Sequence, residues 1–182
     1  PAHNQLFKHP LRWTMTCHSK ERKDLMELDQ QIRELIDSAP ADGKTATLIQ
    51  AIAPALKLIA ERLQHLQYYV LQTLDGGWVV VTLSNRANPD VAKRVIYAYP
   101  TLADARAGSH NAADPQIAAL PMPVIHILFQ MLAMKTVDST VFFETSEKLS
   151  NATEVTQENL RDLLKLTYQQ QQRHPKPPPD IA

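Results

Sequence analysis

Apolar residues are densest between positions 116 and 145, and their spacing changes within that stretch. Pro121 and Pro123 are tolerated only before or within the first turn of a helix, so a helix is predicted to begin near Pro123. Apolar residues then recur at three- and four-residue spacing and line one helical face: Val124, Ile127, Leu128, Met131 and Leu132. Between the polar residues Ser139 and Glu144, residues 140–143 are β-branched or aromatic, which is typical of a strand. The stretch therefore predicts a buried helix, a short turn and a strand at the centre of the fold.

Two amphipathic helices are predicted before this stretch. Ser19 can cap the first, which ends before Pro40 and has an apolar side of Leu25, Leu28, Ile32 and Leu35. The second is expected from about Thr45 to His65, although Pro54 lies inside it, and its apolar face consists of Leu48, Ile52, Leu56, Ile59 and Leu63. Two neighbouring apolar faces favour a helical hairpin, or two helices that both lie on a sheet.

Residues 67–84 predict a β-hairpin, because two apolar runs flank Asp75-Gly76-Gly77, whose residues accept the positive φ of tight turns. A third strand is expected over 94–99. A short helix over 102–107, capped by Thr101, and a short strand within 116–119 follow it.

The end of the chain predicts one more helix. Residues 146–155 are polar and predict a loop, after which Thr156 can cap a helix with apolar residues Leu160, Leu163, Leu164 and Leu166. Pro175 ends it. The predicted fold class is α+β, with an N-terminal helical hairpin, a mixed or antiparallel sheet of four or five strands, covering helices and a C-terminal helix.

Length and composition favour one globular domain. The chain has 182 residues, of which 44% are apolar and 21% charged. These values are ordinary for a folded domain that buries a sizeable core. We assign residues 1–18 to an extended arm, residues 19–174 to a single α+β domain, and residues 175–182 to a proline-rich tail.

Charge and cysteine content narrow the class of protein. Nineteen basic and nineteen acidic residues leave no net charge, which disfavours nucleic acid as the partner of the whole surface. Cys17 is the single cysteine, and the N-terminal residues contain no apolar signal core. A cytoplasmic location is therefore expected. Two prolines, His126 and Gln130 interrupt the apolar run 117–134, so a buried helix is expected there and no transmembrane segment.

Binding candidates lie mainly near the two ends of the chain. The first 23 residues hold five basic residues and one acidic residue, and Lys8, Arg12 and Trp13 are candidates for contact with an anionic surface such as phosphate or a lipid headgroup. The alternative is an arm that packs its aromatic residues on the domain. Pro177 and Pro178 belong to an expected polyproline segment, a ligand for an aromatic groove on another protein, or else a frayed terminus. Trp78 is either an exposed anchor at the hairpin tip or the buried start of a strand.

Catalytic candidates are few, and the patterns that mark common enzymes are missing. The four glycines form no phosphate-binding loop, and neither a GxSxG elbow nor an HExxH motif occurs. His126 lies on the central helix, and Asp138 follows in the next turn, so a base oriented by a carboxylate is one hypothesis. The alternative is that His126 marks the less buried edge of an apolar helix. No metal site and no cofactor are predicted.

One segment resembles a known family. Residues 95–144 contain a strand ending in an aromatic residue, a short capped helix over Tyr99–Asp104, then a helix and Val137-Asp138 before an apolar strand. This order resembles units of SseB-type proteins, although Glu144-Thr145 stands where that family has Asn-Pro. The resemblance implies an accessory protein rather than an enzyme. The chain as a whole also resembles uncharacterised cyanobacterial proteins, a similarity that no single residue carries.

These observations favour a non-enzymatic accessory or adaptor protein that binds another protein. One alternative is a small-ligand-binding domain or small enzyme with a pocket near His126. Another is peripheral binding to an anionic membrane or nucleic acid through residues 8–23. The sequence does not identify the partner or the oligomeric state.

Overall fold

The computed structural model describes residues 12–85, 88–108, 114–145 and 151–173. Its helices are α1 (Arg12–Asp37), α2 (Thr45–Ala60), α3 (Leu102–Gly108), α4 (Val124–Ala133) and α5 (Gln157–Arg173). Its strands are β1 (Gln67–Thr73), β2 (Val81–Asn85), β3 (Asn88–Tyr99), β4 (Ile117–Pro123), β5 (Ser139–Phe143) and β6 (Ala152–Thr156). The arrangement is α+β, which confirms the predicted fold class.

The six strands form one mixed sheet. Its order is β4-β1-β3-β5-β6, and β2 pairs with β3 outside that path. The β3–β5 pair is parallel and the other pairs are antiparallel. Pro121 and Pro123 lie in β4 at the edge of the sheet, where a residue without an N–H group is tolerated and further strand pairing is discouraged.

The hairpin predicted over residues 67–84 forms only near its turn. Gly76 has a φ of 85°, and the Thr73 N–H donates to the Gly77 carbonyl oxygen at 2.8 Å. The Val79 N–H still donates to the Leu71 carbonyl oxygen at 2.9 Å. Beyond this point β2 leaves β1 and pairs antiparallel with the N-terminal half of β3. The long β3 strand thus provides the partner that β1 was expected to provide.

Several element boundaries differ from those predicted. Strand β3 begins at Asn88 rather than residue 94, and β4 ends at Pro123 rather than residue 119. Helix α1 begins at Arg12, so residues 12–18 of the expected arm belong to that helix. Helix α2 ends at Ala60 with Pro54 inside it, and Leu48 on its expected apolar face is 54% exposed. Residues 152–156, expected to be loop, form strand β6, because β5 provides a free edge that pairs with them.

The predicted central helix is confirmed. Helix α4 begins directly after Pro123, and four of its five expected core residues, Val124, Ile127, Leu128 and Met131, are fully buried. Helices α1, α2, α4 and α5 pack together over one face of the sheet. The side chains that this sheet face contributes to the core include Tyr68, Ile96 and Phe142. The capped starts of α3 and α5 are also confirmed: the Asp104 N–H donates to Thr101 Oγ1 and the Asn159 N–H to Thr156 Oγ1, each at 3.1 Å.

The length and hydropathy of a helix decide whether it can cross a membrane. Within the described residues, no helix combines the length and apolar character required to cross a bilayer.

Candidate functional site

The N-terminus of α4 is buried and has no capping side chain of its own, since Pro123 occupies the cap position. The Val124 N–H donates to the Leu66 carbonyl oxygen at 2.9 Å, and the Ile125 N–H donates to Gln31 Oε1 at 3.2 Å. Gln31 Nε2 also donates to the Leu66 carbonyl oxygen, at 2.9 Å. One buried glutamine of α1 therefore ties the first turn of α4 to the residue before β1 and satisfies one of the N–H donors that the helix leaves free.

The C-terminal end of α4 is held in the same way by Gln157 of α5. Its side-chain amide donates to the carbonyl oxygen of Met131 at 2.7 Å and also to that of Met134. Its main-chain N–H donates to the Asp138 carbonyl oxygen at 2.9 Å. Both ends of the central helix therefore use their polar groups internally.

A second buried polar cluster lies just after β5. The Glu144 side chain is 3% exposed, and its Oε2 accepts hydrogen bonds from the Tyr68 hydroxyl at 2.9 Å and the Gln64 N–H at 3.0 Å. Its Oε1 has no hydrogen-bond partner within the described residues. Burial, and next the nearby Glu144 charge, raise the pKa of Tyr68 above its usual value. Tyr68 therefore remains a neutral donor to the carboxylate.

His65 connects this cluster to the preceding loop. Its Nε2 lies 2.9 Å from the Glu144 carbonyl oxygen, so Nε2 carries the proton, because a carbonyl can only accept. The His65 ring meets Tyr68 edge to face with centroids 5.4 Å apart, and the His65 N–H donates to the Tyr68 hydroxyl at 3.3 Å. Glu144, Tyr68 and His65 thus fix the connection between α2 and β1; we call these three residues the corner cluster.

An open cleft lies beside the corner cluster, between α1 and the α2–β1 connection. Its volume is about 670 Å³. Buried apolar residues form its floor: Leu28, Ala60 and Leu63. Its polar lining includes Asp24, Glu61, Gln64 and His65, and Leu25 on its margin is 40% exposed. Because Gln64 and His65 bond directly to Glu144, the corner cluster fixes one wall of this cleft.

His126 lies in the first turn of α4 and is partly buried. Burial lowers the pKa of His126, and a main-chain hydrogen bond with Gln31 and the charge of Glu34 oppose that shift. Both residues belong to α1, so the imidazole faces that helix. Nε2 is buried without a hydrogen-bond partner in the described part of the chain.

Asp138 lies beyond the other end of α4. Its carboxylate accepts the Arg94 N–H at 2.7 Å and lies 3.9 Å from Nε of Arg94. It lines a separate cavity of about 680 Å³ whose other residues are mostly charged. The ten residues of α4 alone span about 15 Å, so the structure does not bring His126 and Asp138 together.

The expected binding residues are placed as follows. Trp78 is partly buried and packs against the core, which favours its interpretation as a packed strand residue. Arg12 and Trp13 belong to the first turn of α1, and their side chains are not described. Lys8, Pro177 and Pro178 lie outside the described residues. The corner cluster was not among the candidates from the sequence.

Comparisons with known proteins identified no relative of this chain. No protein-family model matches this chain, and no curated protein or solved structure matches it either. Across the described ranges, no group of three or more histidine, cysteine, aspartate or glutamate residues is arranged to hold a metal ion.

Proposed function

We propose that this chain is a non-enzymatic accessory protein that binds another protein through the cleft between α1 and the α2–β1 connection. The observation that carries the proposal is the cleft itself, an open apolar floor with a polar rim. Such a surface suits an apolar side chain of a partner surrounded by polar contacts. Exposed Leu25 and Met26 extend the apolar surface along α1.

The rim indicates the chemistry of the partner segment. Asp24 and Glu61 both line the cleft, one from α1 and one from the end of α2. A partner with an apolar anchor and a flanking lysine or arginine would satisfy both the floor and these carboxylates. The corner cluster supports this role, because it holds the wall of the cleft rigid before a partner arrives.

A capture experiment with matched variants tests the proposal. Tagged full-length protein, its Leu25→Glu variant and its Leu74→Glu variant are incubated with native lysate, and captured proteins are quantified by mass spectrometry. Leu25 lines the cleft, whereas Leu74 is 75% exposed at the β1 turn, so the second variant adds the same charge elsewhere. We expect a protein that is captured by the parent and the Leu74→Glu variant but lost at least tenfold with Leu25→Glu. Equal capture by all three proteins would contradict a role for the cleft.

The remaining alternatives stay predictions. A small ligand near His126 would be detected as a chemical-shift change of its ring protons on addition of a metabolite library. Attachment of residues 8–23 to an anionic surface requires vesicle binding that weakens steeply with added salt. A cytoplasmic location and the SseB-type resemblance are likewise consistent with the proposal and are not needed for it.

A further inference from the structure

Three aromatic rings form a separate cluster on the sheet face opposite the helical core. Tyr99 and Phe143 are stacked with centroids 5.2 Å apart, and Tyr97 lies 5.5 Å from Phe143 and 6.3 Å from Tyr99. Strand neighbours Ala98 and Phe142 point into the core, so these three rings point the other way. We call Tyr97, Tyr99 and Phe143 the aromatic face.

The aromatic face is covered only in part. Tyr99 is 1% exposed because α3 packs on it, and a Cβ atom added to Gly108 of that helix would lie 2.6 Å from the Tyr99 ring. Burial, with a smaller effect of Tyr97, raises the pKa of Tyr99 to about 12. Tyr97 and Phe143 are only partly buried. Tyr97 and Phe143 therefore keep part of their ring surface exposed, beside the buried ring of Tyr99.

Partly exposed, closely spaced aromatic rings are the surface that proline-rich segments recognise. A polyproline helix is extended before it binds, so it loses little conformational entropy when its rings stack on aromatic side chains. This chain contains such a sequence at 175–179, Pro-Lys-Pro-Pro-Pro. The aromatic face and a segment suited to bind it therefore occur in the same chain.

The geometry of α5 brings that segment within reach. Leu166 and Thr153 line one cavity, and Thr153 is paired with Phe142, so α5 runs alongside β5 toward the end of the sheet that carries Phe143. Arg173 lies seven residues further, about 10 Å along the helix axis. Residues 174–179, which end with the last proline, would span about 19 Å as a polyproline helix. This length exceeds the spacing of about 10 Å between packed layers, so the segment can pass around the sheet end.

Charges at the margin of the aromatic face match those of the segment. Lys93 of β3 and Glu154 of β6 form an ion pair on the same sheet face, and this ion pair, as the largest influence, lowers the pKa of Glu154. The segment carries Lys176 and Asp180 on either side of Pro177, Pro178 and Pro179. We propose that residues 174–182 dock on the aromatic face of their own chain, with the prolines on Tyr97 and Phe143.

A competition experiment on full-length protein tests this proposal. The Pro177→Ala, Pro178→Ala, Pro179→Ala triple variant keeps every described residue, and a fluorescent peptide of residues 173–182 is titrated into it. We expect saturable binding with a dissociation constant on the order of 0.1 mM. The unmodified protein should bind the same peptide about tenfold more weakly, because its tethered segment has an effective concentration in the millimolar range.

Two variants of Tyr97 and one control variant locate the binding surface. Tyr97→Ala, made in the triple variant, should weaken peptide binding at least tenfold. Tyr97→Phe keeps the aromatic ring and should therefore bind the peptide as its parent does. Leu74→Ala, at the β1 turn, should leave binding unchanged, and circular dichroism melting shows that each variant is folded. No peptide binding, or equal binding by Tyr97→Ala and its parent, would overturn the proposal. Concentration-dependent dimerisation of the unmodified protein that the triple variant lacks would overturn its intramolecular form.

Discussion

Buried polar groups occur in two regions of this molecule, and the two regions use them differently. At the ends of α4, Gln31 and Gln157 bond to main-chain groups of the same core, and the cavity that Gln157 lines together with Asp138 is mostly surrounded by charged residues. At the corner cluster, Glu144 also bonds internally, but Gln64 and His65, its partners, line an open cleft. Both regions hold the fold together, but of these two cavities only the cleft beside the corner cluster has a floor of several apolar residues.

This contrast explains why the cleft is the better functional candidate than the centre of the fold. His126 and Asp138 lie near opposite ends of the helix that the two glutamines hold, and each contacts groups that the other does not reach. The cleft combines a rigid wall, an apolar floor and exposed apolar margins. Binding surfaces need that combination, whereas a closed core does not.

The largest effect is expected from Glu144→Ala. This change leaves the Tyr68 hydroxyl and the Gln64 N–H without their acceptor in a buried site, which should lower the free energy of unfolding by about 3 kcal/mol. Urea denaturation measures it. Glu27→Ala, on the exposed side of α1, is the matched control and should change stability by under about 0.5 kcal/mol. Equal losses of unfolding free energy in the two variants would contradict a stabilising role of the corner cluster.

A somewhat smaller loss is expected when a glutamine at the end of α4 is removed. Gln31→Ala takes the acceptor from the Ile125 N–H and a donor from Leu66, so the free energy of unfolding should fall by about 2 kcal/mol. The neighbouring Gln30 is exposed, and its side-chain amide donates to Glu34 on the same helix. Gln30→Ala should therefore cost under about 0.5 kcal/mol in the same urea titration. If both variants lose the same stability, α4 is not held by Gln31.

Acid should weaken the α1–α4 contact through His126. Burial holds the pKa of His126 below its ordinary 6.5, so the unfolded chain takes up this proton first as pH falls. Stability from this group is present above pH 6.5 and is lost as the pH falls from there toward the folded-state pKa. Urea denaturation at half-unit steps from pH 8 to pH 5 should show a shallower loss for His126→Gln than for the parent. If the free energy of unfolding depends on pH in the same way in both proteins, the imidazole of His126 is not held neutral by burial.

The smallest effect on stability is expected from the cleft itself. Leu25 is partly exposed on the cleft margin, so Leu25→Glu should change the free energy of unfolding by under about 0.5 kcal/mol while it abolishes partner capture. Thermal melting measures the stability of the variant, and the capture experiment measures its binding to the partner. A large loss of stability would mean that Leu25 belongs to the core rather than to a binding surface.

The sequence predicted the elements better than their pairing. The proline positions and the three- and four-residue spacing located α4, because steric limits on proline and burial of one face act locally. The partner of β2 and the existence of β6 depend on strand edges that lie far away in the chain, which no local pattern encodes. Periodicity located the buried face of the second helix at four of five expected positions, Ile52, Leu56, Ile59 and Leu63, and was wrong only for the exposed Leu48.

The corner cluster illustrates why the site escaped prediction. Glu144 follows an apolar strand as many exposed charged residues do, and its partners Tyr68 and Gln64 are 76 and 80 positions away. Burial of a carboxylate becomes visible only when those segments meet. The aromatic residues of β3 were visible in the sequence, but which of them face away from the helices depends on the sheet.

Hydrogen exchange of the protein together with its captured partner tests the cleft most directly. If the cleft is the binding surface, amides of residues 24–28 and 60–67 should gain protection in the complex, and those of the β6 edge, 152–156, should not. Protection confined to β6, or to the aromatic face, would contradict the assignment of the cleft as the site of partner binding.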